Sequence, residues 1–229
     1  MNTIKSCENC IKKECKIYSK YNGEILPVTL ARTCNEYREE KKEKLINYYI
    51  SAKQFVIDNG FQKEIDIVDN RTFGEQDKID FFCEFVYVVL NAGMKNQVAE
   101  IIFARYAKNG LSAIKHEGKR RAIEKAEKLY DKWFATLQKK TSLKRKLDYL
   151  ETLPWIGPIT KYHLARNLGL DVAKPDRHLV RIAEHFNYKD VQQMCEDISE
   201  WKGDRIGVVD VALWRYANLN RNYLEEKVE

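Results

Sequence analysis

The chain has 229 residues, of which 44% are hydrophobic and 32% charged, and its formal net charge is +6. This length and composition are sufficient for one good-sized domain. The sequence contains no apolar run of about 18 residues, which argues against a membrane-spanning segment, and its first residues lack the apolar core of a signal peptide. We therefore expect a soluble, monomeric protein of the cytoplasm. The moderate excess of basic residues permits nucleic-acid binding but does not establish it.

Four of the six cysteines lie near the N-terminus, at Cys7, Cys10, Cys15 and Cys34. In a reducing compartment such cysteines are thiols or metal ligands rather than disulfides. A Cys-x2-Cys pair brings two thiolates within reach of one ion, and the two later cysteines would complete a tetrahedral set. We therefore predict a metal-binding extension over residues 1–40, with structural zinc as the metal and a 4Fe-4S cluster as the alternative. The other interpretation is a flexible tail with four unrelated thiols.

Apolar residues at helical spacing predict an all-α domain over residues 41–229. Residues 78–90 are apolar on nearly every side, which is typical of a central helix. Residues 61–76 mix isolated apolar side chains with Asp, Asn and Gly, and we expect a loop there. The other predicted helices cover 39–58, 98–106, 143–150, a segment that starts at 158, 177–186, 191–201 and 204–218.

Two polar segments allow more than one interpretation. Residues 115–146 are rich in lysine and arginine, and such a run is usually the solvated surface of a helix. The last part of this run, Lys139–Lys146, directly precedes a break between two helices at residues 153–158. For this part, contact with DNA is the alternative to a solvated surface. Asn91–Gln97 interrupts the chain after the central helix, and is either an ordinary turn or a loop that probes a duplex.

The most informative stretch is a break between two short helices, Leu153-Pro154-Trp155-Ile156-Gly157-Pro158. A helix is not expected to continue through a glycine with prolines close on both sides, whereas Pro158 suits the first turn of a new helix. Such a hairpin leaves backbone N–H groups unpaired near a helix N-terminus, where they can bind a phosphate of nucleic acid. About twenty residues later, Asp176 opens the next helix.

This hairpin, followed by Lys174-Pro175-Asp176-Arg177-His178, resembles the helix-hairpin-helix/Gly-Pro-Asp (HhH-GPD) superfamily of DNA glycosylases, and in particular its endonuclease III-like members. The resemblance covers residues 78–217 and is sharpest over 150–186. It implies a two-lobed helical fold, with the hairpin in 143–170 and the catalytic aspartate loop in 171–178. The N-terminal cysteines depart from the usual pattern, because the cluster site of endonuclease III-like members lies near the C-terminus.

By this resemblance, Asp176 is the essential carboxylate. Breaking an N-glycosidic bond builds positive charge on the sugar, which a fixed carboxylate stabilises while it orients the attacking water. The plainer interpretation is that Asp176 only caps its helix. The substrate would be double-stranded DNA with a damaged or modified base that is flipped from the stack. The candidate DNA-binding residues are Trp155, Ile156, Gly157, Pro158, Thr160, Lys161 and His178 at the hairpin and aspartate loop, and Met94, Lys95, Asn96 and Gln97 at the interrupting loop.

The resemblance leaves some details of the site open. Members insert a side chain into the duplex from the interrupting loop, and Met94 is our candidate for that role. Aromatic residues suited to a base pocket are Tyr162, Trp214 and Phe81. We interpret His163 and His185 as ordinary helix residues.

Members that also cleave the abasic strand carry a lysine two residues after the hairpin glycine, where this chain has Ile159. Lys161 lies two residues further on, roughly 200° around the helix. We therefore predict a monofunctional glycosylase. The alternatives are a bifunctional glycosylase/lyase that uses Lys161 or another lysine, and a noncatalytic DNA-binding protein that retains the hairpin.

Overall fold

The computed structural model describes residues 35–225, with side chains from residue 42 onward. The four N-terminal cysteines, and with them the predicted metal site, lie outside these residues. The chain divides into two compact units, residues 1–51 and 52–229. Only one helical segment of the first unit is described, and the site discussed below lies entirely in the second.

Ten α-helices make up the described chain, and no β-strand is found among its residues, in agreement with the predicted all-α class. They are α1 (Asn35–Asp58), α2 (Gln62–Asn70), α3 (Lys78–Asn91), α4 (Asn96–Asn109), α5 (Glu117–Gln138), α6 (Leu143–Glu151), α7 (Thr160–Asn167), α8 (Arg177–His185), α9 (Val191–Lys202) and α10 (Ile206–Leu219), with short 3₁₀ turns at Phe73–Glu75 and Gly110–Ala113. Among the described helices, none combines the length with the apolar character that a membrane-spanning segment requires.

The predicted central helix is α3, and its position follows from its sequence. Asp77 caps its N-terminus by accepting hydrogen bonds from the backbone N–H groups of Ile79 (2.7 Å) and Asp80 (2.9 Å). Phe81 and Phe85 are fully buried, and the helix packs against α4, α5 and α7. These helices and α6 form one group around a common hydrophobic core.

A second group forms around the C-terminal helix α10, which packs against α2, α8 and α9. Its apolar side chains, among them Val209, Ala212 and Leu213, are buried. Arg205, directly before α10, holds this group to the first. Its guanidinium donates to the carbonyl oxygens of Val68 (3.0 Å) and Gly169 (3.1 Å), and so links α2 with the loop after α7.

The prediction of a loop over residues 61–76 is wrong, because this segment contains α2 and a 3₁₀ turn. Tertiary contacts account for the helix. Ile65 is buried, and Arg215 Nε donates to the Glu64 carboxylate at 2.8 Å. The same guanidinium lies 4.4 Å from the centre of the Phe61 ring. Arg215 is far from this segment in sequence, so the local composition of residues 61–76 could not indicate the helix.

Candidate active site

The hairpin between α6 and α7 is anchored by apolar side chains. Leu153 and Ile156 are buried in the core. Gly157 donates its backbone N–H to Thr160 Oγ1 at 2.7 Å, which closes the turn. The Ile156 side chain and the Gly157 N–H are therefore occupied within the protein, and neither is exposed as a DNA contact as the sequence suggested.

Trp155 forms the tip of the hairpin in a left-handed backbone conformation, with φ of 68°. Its indole is partly exposed, yet it lies over α5, where its ring is 5.1 Å from that of His116 at a steep angle. The hairpin tip is thus held against the start of α5.

Two backbone N–H groups at the start of α7 remain unpaired within the described chain. Among the described residues, the structure provides no acceptor for the backbone N–H groups of Ile159 and Thr160. Pro158 and Ile159 next to them are exposed. Free N–H groups at a helix N-terminus can bind a phosphate, so the phosphate site stays a prediction, and the first turn of α7 is where it would lie.

Asp176 caps α8, and only one of its carboxylate oxygens serves that role. Oδ1 accepts hydrogen bonds from the backbone N–H groups of His178 (2.9 Å) and Leu179 (3.1 Å). For Oδ2 no hydrogen-bond partner occurs within the described part of the chain. Asp176 also lines a cleft, so the capping interpretation does not exclude the catalytic one: the cap uses one oxygen and leaves the other without a hydrogen bond.

The segment before Asp176 is held from two sides. Ala173 donates its backbone N–H to Gln192 Oε1 and Lys174 donates its own to Asp210 Oδ2, both at 2.8 Å. Asp210 is buried and forms an ion pair with Arg166 of α7 at 2.9 Å. Burial raises the pKa of Asp210, and the charge of Arg166 opposes this shift. The pair therefore connects α7, α10 and the aspartate loop at one point.

The cleft has a volume of about 490 Å³ and lies between the two helix groups. Such a size is typical of a pocket for a small organic group. Its walls combine aromatic, acidic and basic side chains. The lining residues are Glu64, Ile67, Val68, Arg71, Cys83, Glu84, Tyr87, Asn96, Glu100, Phe103, His163, Arg166, Asn167, Lys174, Asp176, Val211, Trp214 and Arg215.

Of the aromatic residues considered from the sequence, only Trp214 lines the cleft. Phe81 is fully buried in the core, and Tyr162 packs against the core edge under the Lys161 ammonium, 5.4 Å from the centre of its ring. Neither of these two residues lines this cleft, and the sequence could not show this, because helical spacing does not tell the core side of a helix from the side that lines a cleft. Tyr87 and Phe103 supply the other aromatic walls.

His163 lies within α7, as interpreted from the sequence, and its buried side chain also lines the cleft beside Tyr87, with 6.2 Å between ring centres. Burial, with smaller effects from Lys174 and Arg166, lowers the pKa of His163 well below its usual value. The imidazole is therefore neutral near pH 7.

Sequence reasoning missed Lys174 and Arg166. Lys174 could have been found, because it precedes Asp176 by only two residues in the sequence. Nothing in the sequence pointed to Arg166, whose role depends on its pairing with Asp210 from another helix.

Lys161 does not line the cleft. Its ammonium forms an ion pair with Glu151 at 2.5 Å, and this hydrogen bond raises its pKa. Lys161 is thus directed toward Glu151 and not into the cleft. His178 is half-buried, with Nδ1 3.4 Å from the Tyr223 hydroxyl, and burial lowers its pKa.

In the interrupting loop, Asn96 alone lines the cleft, and its Oδ1 accepts a hydrogen bond from Asn91 Nδ2 at 2.5 Å. Met94 is half-buried, whereas Lys95 and Gln97 are exposed. The buried Lys119 of α5 fixes the start of the loop, because its Nζ donates to the carbonyl oxygens of Leu90 and Ala92, both at 2.7 Å.

No group of three or more His, Cys, Asp or Glu side chains suited to a metal ion occurs in the part of the chain that the structure describes. The predicted metal ligands lie outside it, so that prediction stays a prediction.

The fold is similar to three solved structures. The 8-oxoguanine glycosylase/lyase of Methanocaldococcus jannaschii, in complex with 15mer DNA containing 8-oxoguanine, aligns with a TM-score of 0.60 and 18% identity over 75% of this chain and 97% of that chain. A second structure, of the 8-oxoguanine DNA glycosylase from that organism, gives 0.61 and 18% over 78% and 95%. The 8-oxoguanine DNA glycosylase of Thermotoga maritima gives 0.57 and 20% over 77% and 95%.

No protein-family model matches the chain, and no curated protein matches it in sequence. At these low identities, the structural comparison bears on the fold. It confirms the predicted resemblance at that level: the chain has the helical fold of the 8-oxoguanine DNA glycosylases.

Proposed function

We propose that this protein is a DNA glycosylase that flips a damaged or modified base from double-stranded DNA and hydrolyses its N-glycosidic bond. One observation carries the proposal: Asp176 lines a cleft of about 490 Å³, and its carboxylate is fixed through Oδ1 while Oδ2 has no hydrogen-bond partner among the described residues. A protein that only bound DNA could use Asp176 as a helix cap, but it would have no use for a second carboxylate oxygen without a hydrogen bond. The shared fold with DNA glycosylases supports the same conclusion.

In the proposed reaction, the hairpin holds the backbone of DNA through the free N–H groups at the start of α7, and the target base enters the cleft. As the bond between base and sugar lengthens, positive charge develops on the sugar. Asp176 Oδ2 stabilises that charge and orients a water molecule toward the anomeric carbon. The departing base takes the electron pair of the broken bond, the water oxygen bonds to the anomeric carbon, and the proton that this water loses neutralises the departing base.

Water rather than a hairpin amine removes the base in this proposal. Ile159 occupies the position of the lysine found in bifunctional members, and the Lys161 ammonium is held by Glu151. Hydrolysis needs neither residue, because the carboxylate alone can align the water.

The cleft indicates a base with several polar groups. Its walls offer carboxylates, amides and cations, as at Glu84, Asn167 and Arg71, besides the stacking surfaces of Tyr87 and Trp214. Arg71 Nη1 and Asn167 Nδ2 both donate to the Glu84 carboxylate, at 2.5 and 2.9 Å. We select 8-oxoguanine as the first base to test, because the similar structures are 8-oxoguanine glycosylases.

The test is a panel of labelled duplexes that carry 8-oxoguanine, uracil, an alkylated purine or a hypermodified cytosine, each treated with alkali to cleave at abasic sites. We expect base release from at least one duplex, and Asp176→Asn should lower its rate by on the order of 10²–10³-fold. The matched control is Asp190→Asn, which alters another helix cap, at α9, outside the cleft. Base release that survives Asp176→Asn, or DNA binding without release from any duplex, would favour the noncatalytic alternative.

A further inference from the structure

His163 is a buried polar side chain to which the proposed reaction gives no role. It is 7% exposed and lines the same cleft as Asp176. Its ring meets that of Tyr87 edge-on, at 80° and with 6.2 Å between ring centres. Among residues 42–225, neither ring nitrogen has a hydrogen-bond partner. The polar atoms of this ring therefore remain available to a group that enters the cleft.

An unpaired imidazole is unusual for a buried residue. Buried polar side chains nearly always form hydrogen bonds, and an exception indicates strain, a catalytic role, or a water or ligand that pairs with the group. Two less buried histidines do have polar neighbours. His116 Nδ1 accepts a hydrogen bond from the Lys119 N–H at 3.4 Å. His178 Nδ1 lies 3.4 Å from the Tyr223 hydroxyl. The unpaired ring of His163 therefore points to binding rather than to packing.

The charge state of His163 limits what the ring can do. Burial lowers the pKa of His163, and the charges of Lys174 and Arg166 lower it further, so the ring is neutral near pH 7. A neutral imidazole has one N–H that donates and one nitrogen that accepts. The two cations that oppose a proton on the ring attract negative charge that develops beside it. These surroundings suit a neutral donor next to a group that becomes negative.

The departing base is such a group. It takes the electron pair of the broken bond, and in a base with a carbonyl group part of this charge moves onto the carbonyl oxygen. A donor held against that oxygen binds it more strongly as the charge grows. The donor therefore stabilises the transition state more than the bound substrate. A base without a carbonyl group offers the donor no such oxygen.

We propose that His163 is a second catalytic residue, whose imidazole N–H donates a hydrogen bond to a carbonyl oxygen of the flipped base, and that the substrate class is bases that carry such an oxygen. This inference rests on the proposed function, which supplies the flipped base. Asp176 then acts on the sugar and His163 on the departing base, from the same cleft.

The imidazole keeps its proton throughout this step. The bond between C1′ and the base nitrogen breaks, and its electron pair moves to the base. The attacking water bonds to C1′, and the proton that it loses neutralises the base. No further reactant is needed.

The first experiment measures base release in a single turnover. The duplexes carry uracil or 8-oxoguanine, which have carbonyl oxygens, or ethenoadenine, which has none. We expect release of a carbonyl base and not of ethenoadenine. His163→Leu, which has no donor, should lower the rate by on the order of 10²-fold without changing the dissociation constant of the duplex. His163→Gln, which retains an N–H donor, should keep more of the rate.

A purely structural role of His163 would give a different pattern. Leucine removes an unpaired polar group from a buried position, so His163→Leu should unfold at a temperature no lower than the wild type. His185→Gln is the matched control, because His185 is exposed on α8 and lies outside the cleft. A wild-type rate in His163→Leu, equal losses in the Leu and Gln variants, or faster release of ethenoadenine than of either carbonyl base would each overturn the proposal.

The second experiment needs no turnover, and it decides alone if His163→Leu is destabilised. Duplexes with uracil or 8-oxoguanine on a 2′-fluorinated sugar resist hydrolysis, because fluorine destabilises positive charge at C1′. NMR of the full chain with isotope-labelled histidine follows the imidazole N–H of His163, which is assigned by its absence in His163→Gln. We expect a downfield shift of this proton with one of these duplexes and none with an unmodified duplex.

The outcomes distinguish this inference from the proposed function. Base release that depends on Asp176, together with a His163 signal that neither duplex shifts, would overturn the inference and leave the glycosylase. A shifted His163 signal without base release from any duplex would support the contact and overturn the glycosylase. The absence of both would overturn both.

Discussion

The indole of Trp155 lies directly against Gly118 of α5: a Cβ atom at residue 118 would come within 2.4 Å of Trp155 Cζ3. The hairpin tip can occupy this position only because residue 118 has no side chain. The start of α5 therefore supports the hairpin through Gly118 and the interrupting loop through Lys119.

Gly118→Ala should displace Trp155, because the added methyl group overlaps the rigid ring system. Overpacking of this kind costs roughly 1–3 kcal/mol, and we expect a lower free energy of unfolding in urea together with a change in tryptophan fluorescence. Gly74→Ala is the control, since a Cβ there meets nothing within 4 Å. Equal stability of both variants would show that the Trp155 ring is free to leave Gly118.

Replacements of Asp176 should separate catalysis from capping. Asparagine caps a helix about as well as aspartate, whereas alanine costs about 1 kcal/mol. We therefore expect thermal unfolding of Asp176→Asn to match the wild type while base release is lost, and Asp176→Ala to lose both activity and stability. If Asp176→Asn were as destabilised as Asp176→Ala, its loss of activity would not report on catalysis.

His163 should make the protein sensitive to mild acid. Its folded-state pKa lies below the usual 6.5 because the ring is buried. Below pH 6.5, and above the folded-state pKa, the unfolded chain binds a proton at His163 that the folded protein does not. The free energy of unfolding should therefore fall by up to about 1.4 kcal/mol for each unit by which the pH decreases. This loss begins as the pH drops through 6.5 and ends below the folded pKa.

The measurement is urea unfolding between pH 7.5 and pH 5 on the wild type, His163→Phe and His185→Gln. His163→Phe should show a shallower dependence on pH, since no ring remains to be protonated. His185, which is exposed on α8 and lies outside the cleft, serves as the control for the removal of a histidine. A His163→Phe slope equal to that of the wild type would assign the acid sensitivity to other groups.

Lys119→Met should loosen the loop that follows α3. The ammonium satisfies the carbonyl oxygens of Leu90 and Ala92 at the end of that helix, and hydrogen bonds of charged groups contribute roughly 1.5–3 kcal/mol each. We expect faster amide hydrogen exchange over residues 91–97 and lower stability. Lys128→Met removes only an exposed pair with Glu124, so exchange in this loop should not change. Unaltered exchange in Lys119→Met would show that the loop is held by other contacts.

The N-terminal cysteines can be tested independently of the helical domain. If Cys7, Cys10, Cys15 and Cys34 bind zinc, elemental analysis should give one zinc per chain and a colourless protein. A brown protein with visible absorption would indicate an iron–sulfur cluster instead. Serine at Cys7 and Cys10 should abolish metal binding, with Ser at Cys83 as the control. A metal-free wild type would favour the flexible tail with unrelated thiols.

Much of the helical framework could be predicted from the sequence, because each signal is local. Residues adjacent in sequence are enough to predict three features: the apolar segment that forms α3, the break between helices at Gly157, and the helix start at Asp176. The helix α2 could not be predicted in this way, since Arg215 and Arg205 stabilise its segment from far along the chain.

The features of the candidate site likewise fall into those that the sequence predicts and those that only the tertiary structure shows. The sequence by itself determined the position of the hairpin, the position of Asp176 at a helix start, and the presence of Ile159 where bifunctional members carry a lysine. These features depend only on residue type and spacing. Only the tertiary structure decided that Lys174, His163 and Trp214 share a cleft with Asp176. It also decided that Lys161 is withdrawn to Glu151. The physical reason is that the residues of the cleft come from helices that are distant in sequence. How these helices pack, with the Arg166–Asp210 ion pair between two of them, sets the directions of their side chains.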